Sequence, residues 1–152
     1  MSMFTPASPR WTSRMLSVLR IAAGLVFILH GTQKLLGWPP APRPMPFVLL
    51  SRYGAAGIIE TFGGLAFILG LLTRPVAFLL AGEMAVAYFT VHVRRGVIPT
   101  SNGGDLAALF CFVYLYFTFA GAGVWSLDAV IARSKGGAPP PHETRRPYDA
   151  AA

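Results

Sequence analysis

Two glutamates, Glu60 and Glu83, sit inside long apolar runs, and His30, Lys34 and His92 lie within such runs or at their ends. A carboxylate in hydrocarbon costs about 2.5–3.5 kcal/mol even on the lenient insertion scale, so residues of this kind face a protein interior and seek partners. Ala56, Glu60 and Gly64 recur at i, i+4 and i+8, and Glu83, Ala87 and Thr90 at i, i+4 and i+7. Each stripe surrounds its carboxyl with small residues that let a second helix come close. At about 1.5 Å per residue, His30 and Glu60 each lie roughly 9 Å from the outer ends of their helices, with Lys34 one turn outward of His30 on the same face. Glu83 lies about 13 Å inward of His92, and so deep a carboxyl is expected to be neutral or to hold a dedicated donor. Imidazole, ammonium and carboxyl together can hold a polar head group and exchange protons with it. The same groups can instead join helices through interhelical bonds of about 0.6 kcal/mol each.

Other chemistry is poorly supplied. Cys111 is the only cysteine, which excludes an intramolecular disulfide, a CxxC centre and a cysteine metal cage. No zinc motif, phosphate-binding glycine loop or nucleophile elbow occurs, and no metal site is expected. Haem ligation by His30 and His92 would need two ligands at one level, whereas their depths differ by about 9 Å at the helical rise. No covalently bound cofactor is expected.

The elements that must position these groups follow from composition. Of 152 residues, 54% are hydrophobic and 12% charged, with mean hydropathy +0.54, against about 25% charged in an average soluble domain. Spans need about 20 residues each, so four would use roughly 80 and leave no separate soluble domain. The expectation is an all-α integral membrane protein, a four-helix bundle over residues 14–133, with spans near 15–36, 54–73, 76–93 and 105–125. Residues 1–13, with Pro6 and Pro9, read as a flexible tail, and residues 134–152, with three consecutive prolines, as a disordered one. Residues 21–29 are apolar enough to resemble a signal-peptide core, but no small-x-small cleavage site follows.

Prolines at 39, 40, 42, 44 and 46 predict extended polyproline-type backbone after the first span. Residues 47–50 are too short to cross and should lie at the membrane surface. Thr73-Arg74-Pro75 predicts a tight turn with Thr73 as cap, making the second and third helices antiparallel neighbours. Ser101-Asn102-Gly103-Gly104 predicts a turn that leaves Asp105 at the start of the fourth helix. Residues 106–127 carry no charge, and that length overrides the strand-like alternation of Phe110, Phe112, Tyr114 and Tyr116. Those aromatics are expected to face lipid or pack. Ser126 can cap a short amphipathic helix over residues 127–133.

The net charge of +7 suits orientation rather than nucleic acid, because the cations flank apolar runs. With the amino terminus inside, eight Lys and Arg fall on the inner side and five on the outer, which predicts both termini in the cytoplasm.

Several segments in order give the chain a further likeness: Arg20-Ile-x-x-Gly24, His30-Gly31-x-x-Lys34-Leu-x-Gly37, Glu60-x-x-Gly63-Gly64, and Gly70-Leu-Leu-Thr-Arg74-Pro75. They continue with Glu83-Met84-x-x-Ala87-x-x-x-x-His92, Asn102-Gly103-Gly104-Asp105, and Gly121-x-Gly123-x-x-Ser126-Leu127-Asp128. Over residues 20–128 the chain resembles the DoxX family of small bacterial membrane proteins. The resemblance marks His30, Lys34, Glu60, Arg74, Glu83 and His92 as characteristic polar positions, with Asp105 standing where the family usually has Glu.

What the resemblance implies is a multi-pass protein of the bacterial cytoplasmic (inner) membrane, associated with quinone-linked redox or with complexes handling thiol and oxidative stress. His30, Lys34, Glu60, Glu83 and His92 are then the intramembrane cluster for quinone or protons, and Arg74 and Asp105 structural polar positions. Such a subunit is unlike a free-standing enzyme, and partners beyond lipid would be other membrane or redox subunits, or further copies of the chain. The alternative is a non-catalytic accessory or assembly subunit of a larger membrane complex. A small-solute or proton carrier ranks last, since no internal repeat or pair of broken helices is evident.

Overall fold

A computed structural model of the chain describes residues 8–41, 48 and 50–136. Every regular element among them is helical. The first, α1 (Pro9–Leu36), starts with a proline in its first turn, where the missing N–H is no loss and φ is already helical. The tail expected over residues 1–13 therefore gives way to helix at Pro9. Ser13 and Ser17 are buried, and the Ser17 hydroxyl accepts the Trp125 N–H at 3.1 Å, so this first stretch of helix is anchored by the far end of the chain.

The second helix, α2, covers residues 52–69 in three stretches: α-helical Arg52–Ile58, a π turn at Ile59–Gly63, and α-helical Gly64–Leu69. Ser51 caps it by accepting the Gly54 N–H at 3.0 Å. The third, α3, is α-helical over Thr73–Ala87, a π turn over Tyr88–His92 and 3-10 over Val93–Arg95. A single turn, α4 (Pro99–Asn102), leads into α5 (Asp105–Ala120), and α6 (Leu127–Ser134) follows. Arg10–Leu36 and Thr73–Arg95 are long and apolar enough to cross a membrane. The helix expected over 105–125 stops at Ala120, because Gly121 at φ 82° and Gly123 at φ 76° turn the chain where a helix cannot follow. Ser126 does cap the short last helix, accepting the Ala129 N–H at 3.1 Å.

The core is an aromatic cluster between paired helices. α1 packs along α2 and α3 along α5. From α5, Ala107, Phe110, Tyr114 and Phe117 recur at helical spacing and are buried. Tyr114 meets Phe27 of α1 and Phe67 of α2 edge-on, each at 5.0 Å between ring centres, and Phe67 meets Phe117 in the same way. Where α1 crosses the first π turn, Gly31 lies against Thr61, and a β-carbon at Gly31 would overlap it. That contact lets the two backbones meet beside Glu60.

The turn from α2 to α3 corrects one expectation. Thr73 does not cap: Leu72 holds the cap position at φ 50°, and Thr73 is already helical. The capping comes from residues remote in sequence. The Asp128 carboxylate of α6 accepts the N–H groups of Leu72 and Thr73, both at 2.8 Å. On the other side of the turn, the fully buried Arg20 donates to the Phe67 and Ile68 carbonyls at 2.6 and 2.8 Å, and also to the Trp125 carbonyl. A cation thus meets the carboxyl end of α2 and an anion the amino end of α3, each against the favourable pole of its helix.

The polyproline backbone and surface segment expected between the first two spans fall largely outside the described residues, as do residues 1–7 and 137–152 of the two tails.

Candidate functional site

A cavity of about 1360 Å³ is bounded by α1, α2, α3 and α5. His30 and Lys34 reach it from α1, Glu60 from α2, and Glu83 and His92 from α3. All five ionisable residues singled out inside the apolar runs thus line one space. The Lys34 ammonium donates to Oε1 of Glu60, closing an ion pair between α1 and α2. Glu60 is 2% exposed and Lys34 20%, so the cation alone keeps a path to solvent. The ammonium also lies 5.9 Å from the centre of the Tyr53 ring, a cation–π contact that holds it over the end of α2.

The two π turns each carry one member of the cluster. Glu60 lies in Ile59–Gly63 and closes the second residue of that turn, and His92 ends Tyr88–His92. An extra residue in a helical turn rotates the side chains that follow and loosens the backbone ladder, which is why such turns recur at functional sites. Around His92, the buried Asn102 donates to the Gly96 carbonyl and accepts the Gly104 N–H, both at 2.7 Å. His92 Nδ1 lies 3.5 Å from the Asn102 carbonyl. The exit of α3 is therefore tied to the start of α5.

His30 uses Nδ1 on the Val26 carbonyl of its own helix at 2.9 Å, which leaves Nε2 for another partner. Lys34 is paired with Glu60, and Glu83 lines the same space with no ion pair among the described residues. The second oxygens, Oε2 of Glu60 and Oε2 of Glu83, are buried with no hydrogen-bond partner among the described residues, and the Tyr114 hydroxyl is in the same position. Buried polar atoms of this kind are uncommon and call for a partner. The Glu83, Ala87 and Thr90 stripe lies along the cavity wall, as its spacing predicts. Phe110 and Met84 supply apolar wall beside it.

Arg74 and Asp105 are not among the cavity's lining residues. Arg74 is exposed in the first turn of α3, its side chain passing over Gly121. Asp105 is exposed at the start of α5, where a carboxylate suits the helix pole. Three cavity residues went unmarked as candidates in the sequence: Arg52, Arg94 and Arg95. Their position at the ends of apolar runs reads only as orientation, although two of them flank the exit of the helix that carries Glu83 and His92. Among the described residues, no group of three or more His, Cys, Asp or Glu is placed to hold a metal ion.

Comparison with known proteins adds the following. An uncharacterized protein of Haemophilus influenzae (strain ATCC 51907 / DSM 11121 / KW20 / Rd) is 44% identical over 124 residues, 74% of this chain and 87% of the relative. A Bacillus subtilis (strain 168) protein named "Putative oxidoreductase CatD" is 26% identical over 120 residues, 78% of this chain and 87% of the relative. No solved structure matches. The family model named DoxX matches residues 15–93, the stretch that carries every member of the ionisable cluster, and the chain belongs to the DoxX family.

Proposed function

We propose that this protein is a quinone-linked subunit of a redox complex in the bacterial cytoplasmic membrane, with the cavity as its quinone site. The observation that carries this reading is the convergence of His30, Lys34, Glu60, Glu83 and His92 on one largely apolar space, with two buried carboxyl oxygens unpartnered among the described residues. A quinone ring needs apolar walls, donors for its oxygens and a group that exchanges protons. Phe27 and Phe110 supply wall, Lys34 a donor, His30 an Nε2 that can accept a hydroquinone hydroxyl, and Glu60 and Glu83 the proton-exchanging groups. The name of the Bacillus subtilis relative, an oxidoreductase, is in line with this chemistry. Electrons come from a partner subunit, since none of the residues here is redox-active towards a quinone.

The setting is a four-span bundle, α1, α2, α3 and α5, with both termini cytoplasmic. Support for placing the shorter α2 and α5 in lipid comes from their outer faces. Phe62 of α2 and Phe112 and Phe119 of α5 are between 64% and 75% exposed, which suits hydrocarbon and not water.

The test is purification of the full chain from bacterial membranes in mild detergent, with extraction and quantitation of bound quinone. Glu60→Gln and His30→Gln are expected to retain at least tenfold less quinone than wild type at matched expression. Equal quinone in all three would remove the quinone site and favour the accessory-subunit reading.

A further inference from the structure

The rim of the cavity carries a second chemical signal. Arg52 opens α2, while Arg94 and Arg95 close α3, and all three line the cavity. They are exposed, and none of them has an ion-pair or hydrogen-bond partner among the described residues. Among the described residues the cavity's acidic groups, Glu60 and Glu83, lie deeper, with Lys34 already on Glu60. The unpaired cations are thus gathered at the rim.

Its size and walls point the same way. About 1360 Å³ exceeds the roughly 300–1,000 Å³ usual for a pocket that holds one small molecule. Phe78, Leu79, Val86 and Leu106 line it and are exposed. The cavity therefore offers an accessible apolar wall as well as a cationic rim. On the topology proposed above, all three arginines lie on the outer side, against the usual distribution of cations. A bound anion gives them a reason to be there.

We infer that the cavity seats an anionic phospholipid, its phosphate on Arg52, Arg94 and Arg95 and an acyl chain along the Phe78, Leu79 and Leu106 wall. Guanidinium is the group best shaped for bidentate phosphate contacts, and the accessible apolar wall suits an acyl chain. Quinone binding is not required. The rim and the inner carboxyls are separate parts of the space, and the lipid is read out without turnover. The inference rests on the membrane setting and topology proposed above.

The experiment is native mass spectrometry of the full-length, delipidated protein in detergent, titrated with phosphatidylglycerol, with phosphatidylcholine of the same chains, or with inorganic phosphate. Wild type is expected to bind phosphatidylglycerol at least about tenfold more tightly than phosphatidylcholine, and the combined R52Q/R94Q/R95Q variant to lose that preference. Lys135→Gln, a cation away from the cavity, should keep it. Gly82→Phe separates a seated lipid from one that coats the surface. Gly82 lines the cavity, and a β-carbon there meets no atom within 4 Å, so the ring can occupy the space without disturbing the helix. It is expected to weaken phosphatidylglycerol binding severalfold at an unchanged melting temperature. Equal binding of the two lipids, an unaffected arginine variant, or unchanged binding by Gly82→Phe would overturn the inference. So would displacement of the lipid by inorganic phosphate at equal concentration, which would mark a small-anion site instead.

Discussion

Lys34 on α1 and Glu60 on α2 are joined across the seam between the two helices, with the carboxylate almost wholly buried and the ammonium partly open to solvent. The pair sits where Gly31 brings α1 against the π turn that carries Glu60, so close packing and charge pairing occupy the same place. Removing one partner strands a buried charge, whereas removing both does not. Lys34→Met is therefore expected to destabilise the protein by about 3 kcal/mol, the lower end of the range for a broken buried pair because Lys34 is partly exposed. Lys34→Met/Glu60→Leu should recover most of that loss. Thermal unfolding in detergent, run as a double-mutant cycle, reads the difference, and additive losses would show that the pair contributes no coupling.

Glu83 shares the cavity without an ion pair of its own. Glu83→Gln keeps its shape and its hydrogen-bonding capacity, and is expected to change stability by less than about 0.5 kcal/mol. A loss as large as that from Lys34→Met would mean that Glu83 carries a charge held by the same ammonium.

Topology can be read with single cysteines in a Cys111→Ser background. Leu50, which is 97% exposed, is a better site than the neighbouring Ser51, whose hydroxyl caps α2. Leu50→Cys and Ser101→Cys are expected to react with a membrane-impermeant thiol reagent in intact spheroplasts, and Ser134→Cys only after permeabilisation. The opposite pattern would place both termini outside.

The turn between α2 and α3 depends on two remote side chains. Arg20→Met leaves the Phe67, Ile68 and Trp125 carbonyls without their donor, and is expected to cost about 3 kcal/mol or more, at about 1–3 kcal/mol for each buried acceptor left unsatisfied. Asp128→Asn weakens two charge-assisted bonds to the Leu72 and Thr73 N–H groups, and should cost about 1–3 kcal/mol. Melting temperatures of the two variants and of the double variant test this. If Arg20→Met melts like wild type, the three carbonyls find other donors and the clamp is dispensable.

The ionisable cluster was legible in the sequence because a carboxylate in a long apolar run has few places to go. Spacing put Lys34 on the face of His30 and gave Glu60 a matching depth, which brought them to one level. The turn chemistry at Ser126 was equally local and could be read from one residue and its neighbours. What could not be read was of two kinds. The π turns at Ile59–Gly63 and Tyr88–His92 have no residue signature, since they arise from packing against a neighbouring helix. The Arg20 and Asp128 contacts join residues from 47 to 105 positions apart, and a buried arginine near the start of an apolar run looks the same in sequence as one that marks orientation. For the same reason Arg52, Arg94 and Arg95 read as topological charges until the cavity set them around one rim.

The clamp on the α2–α3 turn also sets an order in time. Arg20 bonds the Trp125 carbonyl, 105 residues further along the chain, so at roughly 5–20 residues per second its last acceptor leaves the ribosome about 5–20 s later. Throughout that interval the guanidinium has at most the two carbonyls of α2, and Leu72 and Thr73 wait for Asp128. Insertion of the early helices and completion of the bundle are therefore separate events. A polypeptide cut short before residue 125 displays a cation that the finished protein conceals, a chemical difference on which membrane quality control can act.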